Sequence, residues 1–205
     1  MRAPWYVAAG WAIDLFLGGN HRAHEDLEIG VPRDRFGEFA AALAGYELWV
    51  PASDGDRFVG CRFEDAGKRL ETHRQTWVRE PETDRWRLDL FREPSDGDRW
   101  VCARDEGIRL PYDELIEWTA DGIPFGRPVI VLLFKATRTD PAGAEEARDR
   151  DEADFAAVLE VLDAGTALLL ARTPGTDRAG APVARAPHLT GRRRRRARVR
   201  RLRTR

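Results

Sequence analysis

Residues 20–31 read NHRAHEDLEIGV. His24, Glu25, Asp26 and Glu28 crowd together immediately ahead of an apolar run. DLEIGV (26–31) alternates acidic and apolar residues, the period of a half-buried strand, and that period sets Asp26 and Glu28 on one face. Two carboxylates side by side repel each other unless a positive charge lies between them. Taken alone, such a pair is more often a solvated face than a metal site. Its surroundings favour the metal.

Upstream, WYVAA (5–9) is a short apolar run with the character of a buried strand. GWAIDLFLGG (10–19) has helical apolar spacing and a glycine stop at Gly18-Gly19. Gly10 at the start of that helix lets backbone N–H groups approach phosphate oxygens, and the helix dipole favours the anion. Arg22 in the turn-like NHR adds a charge-assisted phosphate contact. One strand-helix-strand unit thus carries phosphate-binding and metal-binding groups together.

Downstream, FGEFAAALAG (36–45) reads as a helix. From 46 to about 109 the chain turns to strands: YELWV, RFVGCRF, ETHRQTWV, WRLDLF and WVCARDEGIRL, separated by turn-rich segments. WRLDLF (86–91) places Asp89 opposite Leu88 and Leu90 on the pleat, a third acid facing a cleft. It would complete a metal site or accept a proton. After PYDELIEW, GIPFGRP (122–128) reads as a connector. VIVLLFKAT (129–137) and DEADFAAVLEVLD (151–163) read as helices.

The formal net charge of −1 hides an asymmetry. After residue 164 lie 13 Arg and one Asp, so residues 1–164 carry 21 basic against 34 acidic residues, a balance of −13. An acidic body argues against nucleic acid as the main partner and suits a cationic ligand. Cys61 and Cys102 show no C-x-x-C spacing and read as idle thiols in a reducing cytoplasm. No apolar run reaches the ~20 residues of a membrane span, and the N-terminus lacks the pattern of a secretory signal.

A family resemblance rests on residues 8–31. AAGWAIDLFLGGNHRAHEDLEIGV resembles the signature of the nucleotidyltransferase-fold aminoglycoside and lincosamide nucleotidylyltransferases, approximately G-G-W-A-(I/L)-D-x-x-L-G-x-x-T-R-x-H-x-D-(I/L)-D-(I/L). IPFGRPVIVLLFKAT and DEADFAAVLEVL are similar to the C-terminal helices of related members. The resemblance spans about residues 5 to 163. It implies an α/β (α+β) minimal nucleotidyltransferase fold, with a mixed, mostly antiparallel sheet and packed helices. It also implies magnesium and a nucleoside triphosphate, ATP foremost, as co-substrate, and a small-molecule hydroxyl, aminoglycoside-like and cationic, as acceptor. Gly10 and Arg22 would hold the triphosphate and Trp11 would flank it. Asp26 and Glu28 would coordinate magnesium, with Asp89 as the third acid.

Two departures stand out. Ala9 replaces the first glycine of the pair. Glu28 replaces the second aspartate and carries its carboxylate one carbon–carbon bond, about 1.5 Å, further out. The alternative implied by Glu28 is a catalytically degenerate nucleotide-binding relative. Of the remaining residues, Asp14 reads as a family-position or structural acid and His24 as a hydrogen-bonding loop residue. Lys135 reads as the partner of Asp151 or Asp154. The segment 165–205 is Arg-rich and aperiodic, which predicts disorder. It reads as a nucleic-acid-binding arm, a solvated tail or the product of a shifted reading frame.

Overall fold

The strand-helix-strand order expected for residues 5–31 holds in the structure, a computed structural model that describes residues 3–54, 57–136 and 144–162. The segment 165–205 lies outside the described residues. Strand β1 (Tyr6–Val7) runs into helix α1 (Ala9–Leu17), which Gly18 closes in the left-handed conformation at φ 70°. Glycine reaches that region without a Cβ penalty. Ala9 also has a positive φ, 48°, at the sharp entry to the helix. An alanine there costs about 1–2 kcal/mol relative to its relaxed conformations. Ala9→Gly should therefore raise the unfolding free energy by about 1 kcal/mol. Chemical denaturation measures it, and a loss of stability would show that the Ala9 conformation stores no strain.

Strand β2 (Glu28–Pro32) begins two residues later than the alternation in DLEIGV implies. Asp26 therefore sits in the loop ahead of the strand, not on it. The neighbouring β1 is two residues long and reaches only Ile29 and Gly30 of β2. The Trp11 indole N–H donates to the Asp26 carbonyl at 2.9 Å and ties that loop to α1 instead.

The chain continues through α2 (Phe36–Ala42), β3 (Glu47–Val50), β4 (Ser53–Asp54), β5 (Arg57–Phe58), β6 (Cys61–Arg62), α3 (Arg69–Thr72), β7 (Gln75–Glu80) and β8 (Arg85–Glu93). Then come β9 (Ser95–Asp96), β10 (Arg99–Val101), β11 (Arg109–Pro111), α4 (Tyr112–Leu115), β12 (Ile116–Trp118), β13 (Pro124–Gly126), α5 (Pro128–Ala136) and α6 (Ala144–Val161). Eight strands form one sheet in the order β12-β13-β1-β2-β8-β7-β3-β6. The β1/β13 and β2/β8 pairs are parallel and the other five are antiparallel, so the architecture is mixed α/β with a mostly antiparallel sheet. GIPFGRP is thus not merely a connector: Phe125 pairs with Val7.

Helices α1 and α2 pack on one face of the sheet. Ala12 and Ile13 of α1, with Leu132 of α5 and Val158 of α6, cover Val7 and Phe125. Phe36 and Phe39 of α2 cover Val31, Val78 and Leu90. By alternation along the strands, Tyr6, Glu28, Gly30 and Asp89 point to the opposite face. There the Tyr6 ring lies across Gly30 and Gly126, on the strands to either side. A Cβ on Gly30 would come within 2.6 Å of the Tyr6 hydroxyl oxygen. Glycine at both positions is what lets the ring lie flat.

Candidate active site

Glu28 and Asp89 are register partners across the parallel β2/β8 pair, so their side chains leave the sheet from adjacent positions on one face. The Asp89 amide donates to the Leu27 carbonyl at 2.9 Å, which fixes this register just where the Asp26 loop enters the sheet. Asp89 is buried, Glu28 half-buried and Asp26 exposed. Burial pushes the Asp89 carboxyl up to about 7; the negative charge of Asp26 adds to this, and Gln75 and Trp77 pull against it. Gln75 donates to Oδ2 at 2.8 Å, while Oδ1 is buried and accepts no hydrogen bond. A buried carboxylate oxygen left in that state is costly unless a proton or cation comes to it.

Beside the acids opens a cleft of about 550 Å³. Ala9 and Gly10 of α1, Arg22, His24, Asp26 and Glu28 line one part, Lys135, Arg150 and Asp151 a wall, and Tyr6, Arg74, Phe91, Glu93 and Arg104 the remainder. Its charged lining is balanced: Arg22, Arg74, Arg104, Lys135 and Arg150 against Glu25, Asp26, Glu28, Glu93 and Asp151. The acidity of the body as a whole therefore does not extend to the cleft. The α1 N-terminus and Arg22 give this rim the character of an anion site.

Arg22 is held in place by a buried charge cluster. Its Nε and Nη2 donate to Oδ1 and Oδ2 of Asp154 at 3.0 and 3.2 Å, and Asp154 is fully buried. Lys135 Nζ binds Asp154 at 2.8 Å and Asp151 at 2.7 Å, so both of its expected partners are present. Burial raises the Asp154 carboxyl, but hydrogen bonds from Arg22, Lys135 and His21 prevail and hold it down at about 2. His21 bridges to a second acid: Nε2 lies 2.6 Å from Asp154 Oδ1, and Nδ1 contacts Asp14 Oδ1. The ring thus links the two acids. His24 Nε2 lies 2.8 Å from Asp14 Oδ2, and its ring sits 4.6 Å from that of Trp11. Burial pushes Asp14 up, and the bonds from His24 and His21 more than offset it, holding its carboxyl below the usual range.

The expected site residues therefore divide by role. Register sets Glu28 beside Asp89, and Asp26 lies on the adjoining loop, near enough for its charge to act on Asp89. Arg22 and Gly10 line the cleft. Gly10 has a steric reason to be glycine: a Cβ there would lie 2.6 Å from the His24 ring and collide with the Arg22 guanidinium. Trp11 acts from behind, through the Asp26 carbonyl. Asp14 serves His21 and His24. Sequence reasoning missed His21, whose one signal was that it stands where the family pattern has threonine. It also missed Gln75 and Trp77, whose contact with Asp89 depends on β7/β8 register.

Residues 1–75 match the family model described as aminoglycoside-2''-adenylyltransferase. That match contains α1, Arg22, Asp26 and Glu28, and the resemblance stated from the sequence stands. No curated protein sequence matches the chain. Among solved structures, the chain is similar to the antibiotic-resistance factor ANT(2'')-Ia in solution, at TM-score 0.49 and 17% identity over 82% of this chain and 80% of that one. It is similar also to ANT(2'')-Ia in complex with adenylyl-2''-tobramycin, at 0.49 and 17% over 83% and 86%. A third, the lincomycin-bound lincosamide adenylyltransferase LnuA, gives 0.44 and 16% over 77% and 89%.

Proposed function

We propose that the chain transfers a nucleoside monophosphate from a nucleoside triphosphate, ATP foremost, to a hydroxyl of a small molecule, and that magnesium is required. The observation carrying this reading is the β2/β8 register, which sets Glu28 beside Asp89 at the mouth of the Asp26 loop, next to a helix N-terminus and an arginine. Oxygen donors alone suit a hard cation, and the buried Asp89 Oδ1 is an acceptor that a cation or a proton would satisfy. Among the described residues no three His, Cys, Asp or Glu side chains form a preformed metal cage. Magnesium bound together with the nucleotide would be held by Asp26, Glu28 and Asp89 and would offset the charge of the phosphates.

The chain's own residues do the rest. Arg22 and the α1 N-terminus bind the phosphates; Asp154 and His21 keep Arg22 aimed at the cleft. The acceptor oxygen attacks the α-phosphorus in line, the bond to the leaving pyrophosphate breaks, and Asp89 takes the hydroxyl proton.

The test is pyrophosphate release with ATP or GTP, magnesium and a panel of hydroxyl-bearing antibiotics. Tobramycin, whose adenylyl derivative one of the similar structures holds, and lincomycin, which another holds, head that panel. Release that needs both metal and acceptor is the expected result. The longer Glu28 side chain supports a second reading, a nucleotide-binding relative that has lost catalysis. Glu28→Asp separates the two: for an active enzyme it changes turnover less than about tenfold. Activity found only in the variant would establish the degenerate reading.

A further inference from the structure

The register that joins Glu28 to Asp89 does not stop there. Asp89 pairs with Trp77 on β7, Trp77 with Trp49 on β3, and Trp49 with Arg62 on β6. Cross-strand partners share a face, so these five side chains form one row across five adjacent strands. At ~4.8 Å per strand the row is about 19 Å long. Trp86 stands over it edge-on, with ring centroids 5.4 Å from Trp77 and 6.4 Å from Trp49, and is 45% exposed.

These three indoles belong to none of the three hydrophobic core clusters. The charges around them are matched among themselves. Glu47 binds Arg62 at 2.5 Å, Arg79 at 3.0 Å and the Trp49 indole at 3.1 Å, and Arg62 also reaches Glu64 at 3.2 Å. The Arg62 guanidinium lies over one face of Trp49, 5.5 Å from the ring centroid, so what this face offers a ligand is aromatic surface, chiefly Trp77, Trp86 and the edge of Trp49, beginning one strand from Asp89.

We propose that the Trp77–Trp49–Trp86 cluster is the acceptor subsite, taking a hydroxylated ring compound that stacks on the indoles with its reacting hydroxyl toward Asp89. The inference rests on the transfer reading above and gives that site its acceptor chemistry: recognition by ring faces, not by paired charge.

The probe is phenyl β-D-glucopyranoside, titrated into the full chain while the indole N–H signals of the seven tryptophans are followed by NMR. Sorbitol, with hydroxyls and no ring, and adenosine are run alongside. The glucoside should move the signals of Trp77, Trp49 and Trp86 in the millimolar range, and sorbitol should not. Trp86→Ala, at an exposed position, should weaken binding about fivefold, and Trp77→Phe, which keeps a ring, should largely preserve it. Shifts absent up to about 20 mM, or confined to the other tryptophans, overturn the proposal. So does stronger movement of the same three signals by adenosine, which would assign the face to the nucleotide base. The titration needs no turnover, so missing pyrophosphate release leaves the subsite standing. Conversely, measured transfer whose acceptor KM is indifferent to Trp86→Ala removes the subsite and leaves the transfer reading intact.

Discussion

Asp89→Asn should lower turnover by roughly 10²–10⁴-fold while the protein unfolds at the same temperature or higher. The two halves of that result come from one fact. Asp89 is 5% exposed, with Oδ1 lacking any hydrogen-bond partner and a second acid nearby at Asp26. A charge in such a place burdens the fold, so an amide of the same shape relieves it. The Gln75 contact can survive, because a carboxamide oxygen accepts as a carboxylate does. A residue kept for structure would behave oppositely, with stability falling and activity following. Thermal unfolding and pyrophosphate release on the same preparation separate the cases. A destabilised variant with near-normal turnover would remove Asp89 from the mechanism.

The same residue marks where sequence reasoning reaches and where it stops. Asp89 was legible as a strand acid flanked by leucines, because alternation is local. Its partnership with Glu28 was not: the two lie 61 positions apart, and parallel register is fixed by packing, not by periodicity. Helix α1 was legible because apolar spacing and the Gly18 stop agree. Strand β13 was not, since Pro124-Phe125-Gly126 carries turn residues and owes its extended state to pairing with Val7 and β12. Asp26 was placed on the strand by alternation, and the Trp11 indole overrode it. His21 lay within a turn-like basic triplet, and only the fold brings Asp154 to it, 133 positions on.

Asp154→Asn should be the most destabilising conservative change in the described residues, by roughly 3–5 kcal/mol, or a fall of about 10 °C in Tm. Asp154 faces Arg22, Lys135 and His21 and is fully buried. Removing its charge leaves Lys135 with Asp151 and His21 with Asp14, but takes from Arg22 the carboxylate that binds it twice. Breaking one side of a buried ion cluster costs more than the cluster contributes when whole, so Arg22→Met on top of Asp154→Asn should recover part of the lost stability. The pH dependence has a definite sign. The folded carboxyl is held down at about 2, below the ordinary aspartate value of 3.8, so its stabilisation is complete above about pH 4 and disappears as the pH falls through 2. The wild-type advantage over Asp154→Asn should therefore narrow between pH 4 and 2. Activity should fall with stability even below the melting temperature. Asp154 joins α6 to the loop that carries Arg22 toward Asp26, so a slack α6 leaves the guanidinium free to swing from the cleft. A variant that loses less than 1 kcal/mol, or whose nucleotide affinity is unchanged, would show that Arg22 is positioned without α6.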